Sequence, residues 1–246
     1  MQIGSAPAHG GGRLGRMTAA PALGAFALTL VLAASLATAL GVAPLSTMAL
    51  ACVPMIVALV AFRATAQRRF GLANAVTLVR AGLAAALAAP LLPLLRVEPA
   101  WLLVLTAIGL IGLDGLDGWI ARRRGEASSF GARFDMEADT LLLSVLALLV
   151  LASGRAGVWV LLAPALRPLF LLGGWVWPPL AVPLPPSARR KVCCVIPLLT
   201  LAIVLAPPAN ETVAVLLALA AVVVLAGSFA VDLRWLLAHG GGGSSR

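Results

Sequence analysis

Between Arg16 and Arg63 the chain carries no charged side chain, and that stretch is long enough to cross a bilayer twice. About 20 apolar residues span the hydrocarbon core as a helix. The turn residues from Gly41 to Pro44 divide the stretch into two such lengths, 18–41 and 44–62. Comparable runs follow at 75–95, 100–121, 136–153, 157–180, 192–207 and 212–233. They are continuous rather than alternating, which favours helices over a barrel, because a helix satisfies its own backbone groups in lipid. Only 11% of the residues are charged and 61% are hydrophobic, whereas a soluble domain carries about 25% charged residues. The chain is therefore expected to be an all-α membrane protein, a polytopic bundle of eight helices.

A net charge of +9 raises the question of nucleic acid. The basic residues sit at the ends of apolar runs without interleaved aromatics, which is a membrane-anchoring pattern and argues against a nucleic-acid partner. With the N-terminus inside, fourteen of the 18 Lys and Arg residues fall in inner segments. Only Arg96 and Arg155 fall outside, and Arg80 and Arg167 lie within spans. Three cysteines cannot build a disulfide framework; Cys52, Cys193 and Cys194 read as small buried hydrophobes. The expected organisation is a flexible cytoplasmic tail over 1–17 and two extra N-terminal transmembrane helices with a basic connector over 18–69. A six-helix domain over 70–236 and a flexible tail over 237–246 complete it.

One constellation carries chemistry. Asp114, Asp117, Gly118 and Ala121 are spaced i, i+3, i+4 and i+7, and Gly131, Asp135 and Asp139 are spaced i, i+4 and i+8. Each set occupies one face of a helix. A short Arg-rich segment joins the two helices, so they form an antiparallel hairpin whose acidic faces converge near the cytoplasmic surface. A charged residue within a span costs about 3 kcal/mol on insertion scales, and clustered carboxylates also repel, so the set calls for neutralisation. Carboxylates without Cys or His suit a hard cation such as Mg²⁺ or Mn²⁺, and four of them can hold two ions and, through these, a diphosphate. Gly118 and Gly131 leave the backbone open to a nucleotide, Ala121 permits close helix contact, and Arg122 is placed to meet phosphate.

The pattern D-x2-D-G-x2-A-R-x8-G-x3-D-x3-D, eight fixed residues over 26 positions, resembles the signature of the CDP-alcohol phosphatidyltransferase family, with every fixed position matched. The resemblance covers the six-helix core and leaves the first two helices outside. It implies a homodimer in which an alcohol attacks the β-phosphate of a CDP-linked lipid and releases CMP. Asp114, Asp117 and Asp135 would then bind the metals, and Asp139 would act beside them as general base. Gly118, Ala121, Arg122 and Gly131 would face the cytidine diphosphate. Family members also carry Asn, Thr and Arg where this chain has Asn74, Thr77 and Arg80; Asn74 and Thr77 join the expected CDP-binding set, and equally suit helix caps.

For the acceptor, Arg167 together with Arg189, Arg190 and Lys191 favours an anionic alcohol, with glycerol 3-phosphate as the first expectation. Phosphatidylglycerophosphate synthases often place an acid directly after the arginine matching Arg167, where this chain has Pro168. Two other readings share parts of the pattern. A CDP-choline or CDP-ethanolamine type phosphotransferase carries the same motif with lipid and nucleotide roles exchanged. An ion transporter accounts for intramembrane carboxylates, though not for the glycine, alanine and arginine spacing. The expected setting is a bacterial cytoplasmic membrane with the site facing the cytoplasm.

Overall fold

The computed structural model describes residues 20–65, 70–92, 97–98, 100–126, 128–177, 187–207 and 210–239. The expected N-terminal tail over 1–17 lies outside these residues, as does 240–246. Eight α-helices are present and no strand among the described residues: α1 (Ala20–Leu40), α2 (Pro44–Arg63), α3 (Leu72–Ala86), α4 (Trp101–Arg124), α5 (Ser129–Ala152), α6 (Leu162–Val176), α7 (Ala188–Val204) and α8 (Glu211–His239). The helix α8 thus continues into the first residues read above as tail.

Local chemistry sets the boundaries. Gly41, at φ +67°, turns the chain after α1, and Pro44 opens α2 at a position where its missing N–H costs nothing. The run read as one span over 75–95 breaks after Ala86 into a 3₁₀ turn at Ala89–Leu91, because Pro90 lacks the N–H that would continue the α-helix. Among the described residues six helical segments are long and apolar enough to cross a membrane. The other two long elements differ for evident reasons: α5 carries Asp135, Glu137 and Asp139 in its first half, and α7 has 17 residues with an apolar part limited to Val192–Val204. The protein is an integral membrane protein by composition and by fold.

At the centre stands the segment Leu72–Leu91 that contains α3, with 78% of its apolar window buried, whereas none of the other segments long and apolar enough to cross a membrane exceeds 28%. It packs against α1, α2, α4 and α5. The two N-terminal helices are docked closely: a Cβ at Gly82 would lie 2.5 Å from Thr29 Cγ2 and 3.0 Å from Met55 Sδ, so the missing side chain is what lets α1 and α2 reach α3. At the lower end of α2, Phe62 meets Phe70 and Phe130 edge-on, with ring centroids 5.1 and 5.2 Å apart. Phe130 directly precedes Gly131, so the N-terminal pair supports the start of α5.

The turn between α4 and α5 is tight. Gly125 takes a left-handed conformation (φ +64°) that ends α4. Ser128 then caps α5 by accepting from the Gly131 N–H at 3.0 Å. This hairpin brings the C-terminal end of α4 and the N-terminal end of α5 to the same end of the bundle as the start of α3.

Candidate active site

All four aspartates converge, and a residue outside the motif holds them. Arg80 of α3 donates from Nη1 to Asp117 Oδ2 at 2.6 Å and lies 2.9 Å from Asp114 Oδ1. Its Nη2 donates to Asp135 Oδ1 at 2.9 Å and to Asp139 Oδ1 at 2.6 Å. One guanidinium nitrogen therefore serves each helix of the acidic hairpin. The Arg80 side chain is 2% exposed and Asp117 4%, while Asp135 reaches 40%. Asp117 Oδ2 also accepts from Thr77 Oγ1 at 2.9 Å. Sequence reasoning singled out Arg80 as a base within a span but gave it no place in the site. Its signal was electrostatic: a cation in a span must find a counter-charge, and the motif supplies the acids.

One carboxylate oxygen from each of Asp114, Asp135 and Asp139 lies within 4.8 Å of the others. Asp117 is not in this group; its Oδ2 accepts from Arg80 and Thr77. The donor set is hard oxygen, and four carboxylates face a single guanidinium. That surplus of negative charge fits a divalent cation.

The six residues expected to face the nucleotide, Asn74, Thr77, Gly118, Ala121, Arg122 and Gly131, all line one cavity of about 190 Å³, which Asp117 and Asp135 line as well. Gly131 is tightly placed: a Cβ there would meet Asn74 Oδ1 at 2.9 Å and Ser128 Oγ at 3.2 Å. Glu126 also lines this cavity and accepts from the Ala73 N–H at 3.1 Å, capping the start of α3. No local pattern marks Glu126; only folding brings it to a helix start 53 residues away.

A second cavity, about 310 Å³, lies between α5, α6, α7 and α8, with Asp139 on its wall. Of the four residues expected to bind the acceptor, Arg167 and Arg190 line it. Arg167 is itself paired, donating to Met136 O at 2.8 Å and Glu137 Oε1 at 2.6 Å. Arg189 does not line the cavity. It donates to Ser228 O and Oγ at 3.1 and 2.9 Å and pairs with Asp232, clamping α7 to α8. Asp232 is buried and needs that partner, which the sequence could not reveal for two residues 43 apart. The Lys191 side chain lies outside the described residues.

The described residues form a helical membrane bundle with an acidic centre that two cavities adjoin. The family model for CDP-alcohol phosphatidyltransferase matches residues 44–227, and the chain belongs to that family, a family of phosphotransferases that use divalent metal ions. The match opens at Pro44, so α2, kept apart from the core in the sequence reading, falls within it. No curated protein and no solved structure matches the chain.

Proposed function

We propose that this chain transfers the phosphatidyl group of CDP-diacylglycerol to the hydroxyl of an alcohol and releases CMP. In this reading Asp114, Asp117, Asp135 and Asp139 hold two Mg²⁺ or Mn²⁺ ions. One observation carries it: two cavities meet at a single carboxylate cluster, the smaller at Asp117 and Asp135, the larger at Asp139. Donor and acceptor can thus each reach the same carboxylate cluster from a cavity of its own.

Bound divalent cations supply charge neutralisation for the diphosphate and for the departing CMP. The chain's own residues do the rest. Gly118 and Gly131 leave room for the nucleotide beside the helix backbones, and Arg122 lines the same cavity to meet phosphate. Asp139 takes the proton of the acceptor hydroxyl. The acceptor oxygen forms a bond to the lipid-side phosphorus, and the bond from that phosphorus to the bridging oxygen breaks with its electron pair leaving on CMP. General-base assistance of this kind contributes about 10²–10⁴-fold.

The site end is taken to face the cytoplasm. Arg63, Arg122, Arg123 and Arg124 sit at that end of the bundle, which agrees with the inside excess of basic residues. The homodimer implied by the family belongs to this reading. Glycerol 3-phosphate is the first expectation for the acceptor; it draws on Arg167, Arg189, Arg190 and Lys191, of which Arg167 and Arg189 are engaged by acids of the chain.

The test is direct. Purified protein in detergent, given CDP-diacylglycerol and an alcohol, releases CMP in a metal-dependent manner. Absence of both CMP release and CDP-lipid binding would overturn the proposal.

A further inference from the structure

Segments remote in sequence meet at one side chain of α2. Phe62, 4% exposed, takes the ring of Phe70 at 5.1 Å and that of Phe130 at 5.2 Å, both edge-on. Phe130 in turn lies 5.8 Å from Phe134. Phe62 does not line the smaller cavity, but each ring it gathers adjoins that cavity's wall. Phe70 shortly precedes Ala73 and Asn74, Phe130 directly precedes Gly131, and Phe134 directly precedes Asp135.

These walls leave little play. A Cβ at Gly131 would already meet Asn74 Oδ1 at 2.9 Å, and Glu126 reaches from the α4–α5 turn to the Ala73 N–H at 3.1 Å. The helix that carries Phe62 is itself fixed, because Met55, fully buried, sits against Gly82 of α3. Edge-on ring pairs prefer a defined geometry, so the cluster holds angle as well as distance.

We propose that Phe62 is a positioning residue for the CDP-linked donor: it sets the spacing between the start of α3 and the start of α5, and with it the width of the smaller cavity. The N-terminal helices thereby serve donor binding without touching the donor. This rests on the phosphatidyl-transfer reading above, in which this cavity takes the nucleotide.

The experiment titrates the full chain in detergent, with Mg²⁺, using CDP and then CDP-diacylglycerol, and reads both the Kd and the number of sites per chain. Phe62→Leu removes both ring pairs and should raise each Kd by about tenfold at an unchanged number of sites. Should it fail to fold, Phe62→Met, unbranched and adaptable in a core, carries the same expectation. Phe130→Leu removes the same contact from the α5 side, so the double variant should weaken binding by less than the product of the single effects. Leu149→Ala, which empties core volume near the far end of α5, should leave the Kd as it is.

An unchanged Kd in the Phe62 variant, or fewer sites at the parent Kd, overturns the inference alone, since the ring would then only support the fold. So does a Leu149→Ala variant whose Kd rises as much as that of Phe62→Leu. Failure of the parent chain to bind either CDP or CDP-diacylglycerol overturns the phosphatidyl-transfer reading and this inference with it.

Discussion

Arg80 Nη1 lies 2.6 Å from Asp117 Oδ2, and both side chains are almost wholly withdrawn from solvent. The pair joins the central helix α3 to the acidic face of α4, and the other nitrogen of the same guanidinium reaches α5. The cluster is thus held together from within the protein, with one fixed cation among four acids.

Arg80→Met is expected to destabilise the fold by about 3–5 kcal/mol, because it leaves buried carboxylates uncompensated. Arg80→Lys should recover part of the loss, since one ammonium cannot serve both helices with the geometry of a planar fork. Unfolding followed by tryptophan fluorescence, with and without Mg²⁺, measures this. The variant should also gain more stability from the metal than the parent does; an equal gain would show that Arg80 and the metal do not share the cluster's charge.

Chelation should abolish CMP release, with Mg²⁺ or Mn²⁺ restoring it, because the guanidinium alone leaves a surplus of negative charge at Asp114, Asp135 and Asp139. Full turnover in EDTA would refute a catalytic metal.

Asp139→Asn keeps an oxygen for Arg80 but cannot take a proton. Turnover should drop by about 100-fold or more while CDP-lipid affinity is retained, since Asp139 lines the larger cavity and not the smaller. Asp114→Asn should instead weaken CDP-lipid binding. Affinity and turnover measured separately decide it: equal loss of affinity in both variants would make Asp139 chiefly a ligand.

Gly131→Val should raise the KM for CDP-lipid by about tenfold or more while leaving the helices intact. The first added carbon already falls 2.9 Å from Asn74 Oδ1. An unchanged KM would remove this cavity from nucleotide binding.

Much of this was legible before folding. Continuous apolar runs determined helices and membrane, since a chain without charged side chains from Met17 to Phe62 has no stable home in water. The spacing of Asp114, Asp117, Asp135 and Asp139 determined two acidic helix faces, because helical period is a local property. What the sequence could not determine was partnership between distant helices. In a chain apolar on nearly every side, periodicity does not say which face finds which neighbour, so the docking of α1 and α2 at Gly82 had no local signal. The same holds for charges: Arg80 among the four acids, Glu126 at the start of α3, and Arg189 turned to Asp232 instead of an acceptor are each decided by tertiary packing. A buried ion takes whichever counter-ion the fold brings within reach, and only the three-dimensional arrangement selects it.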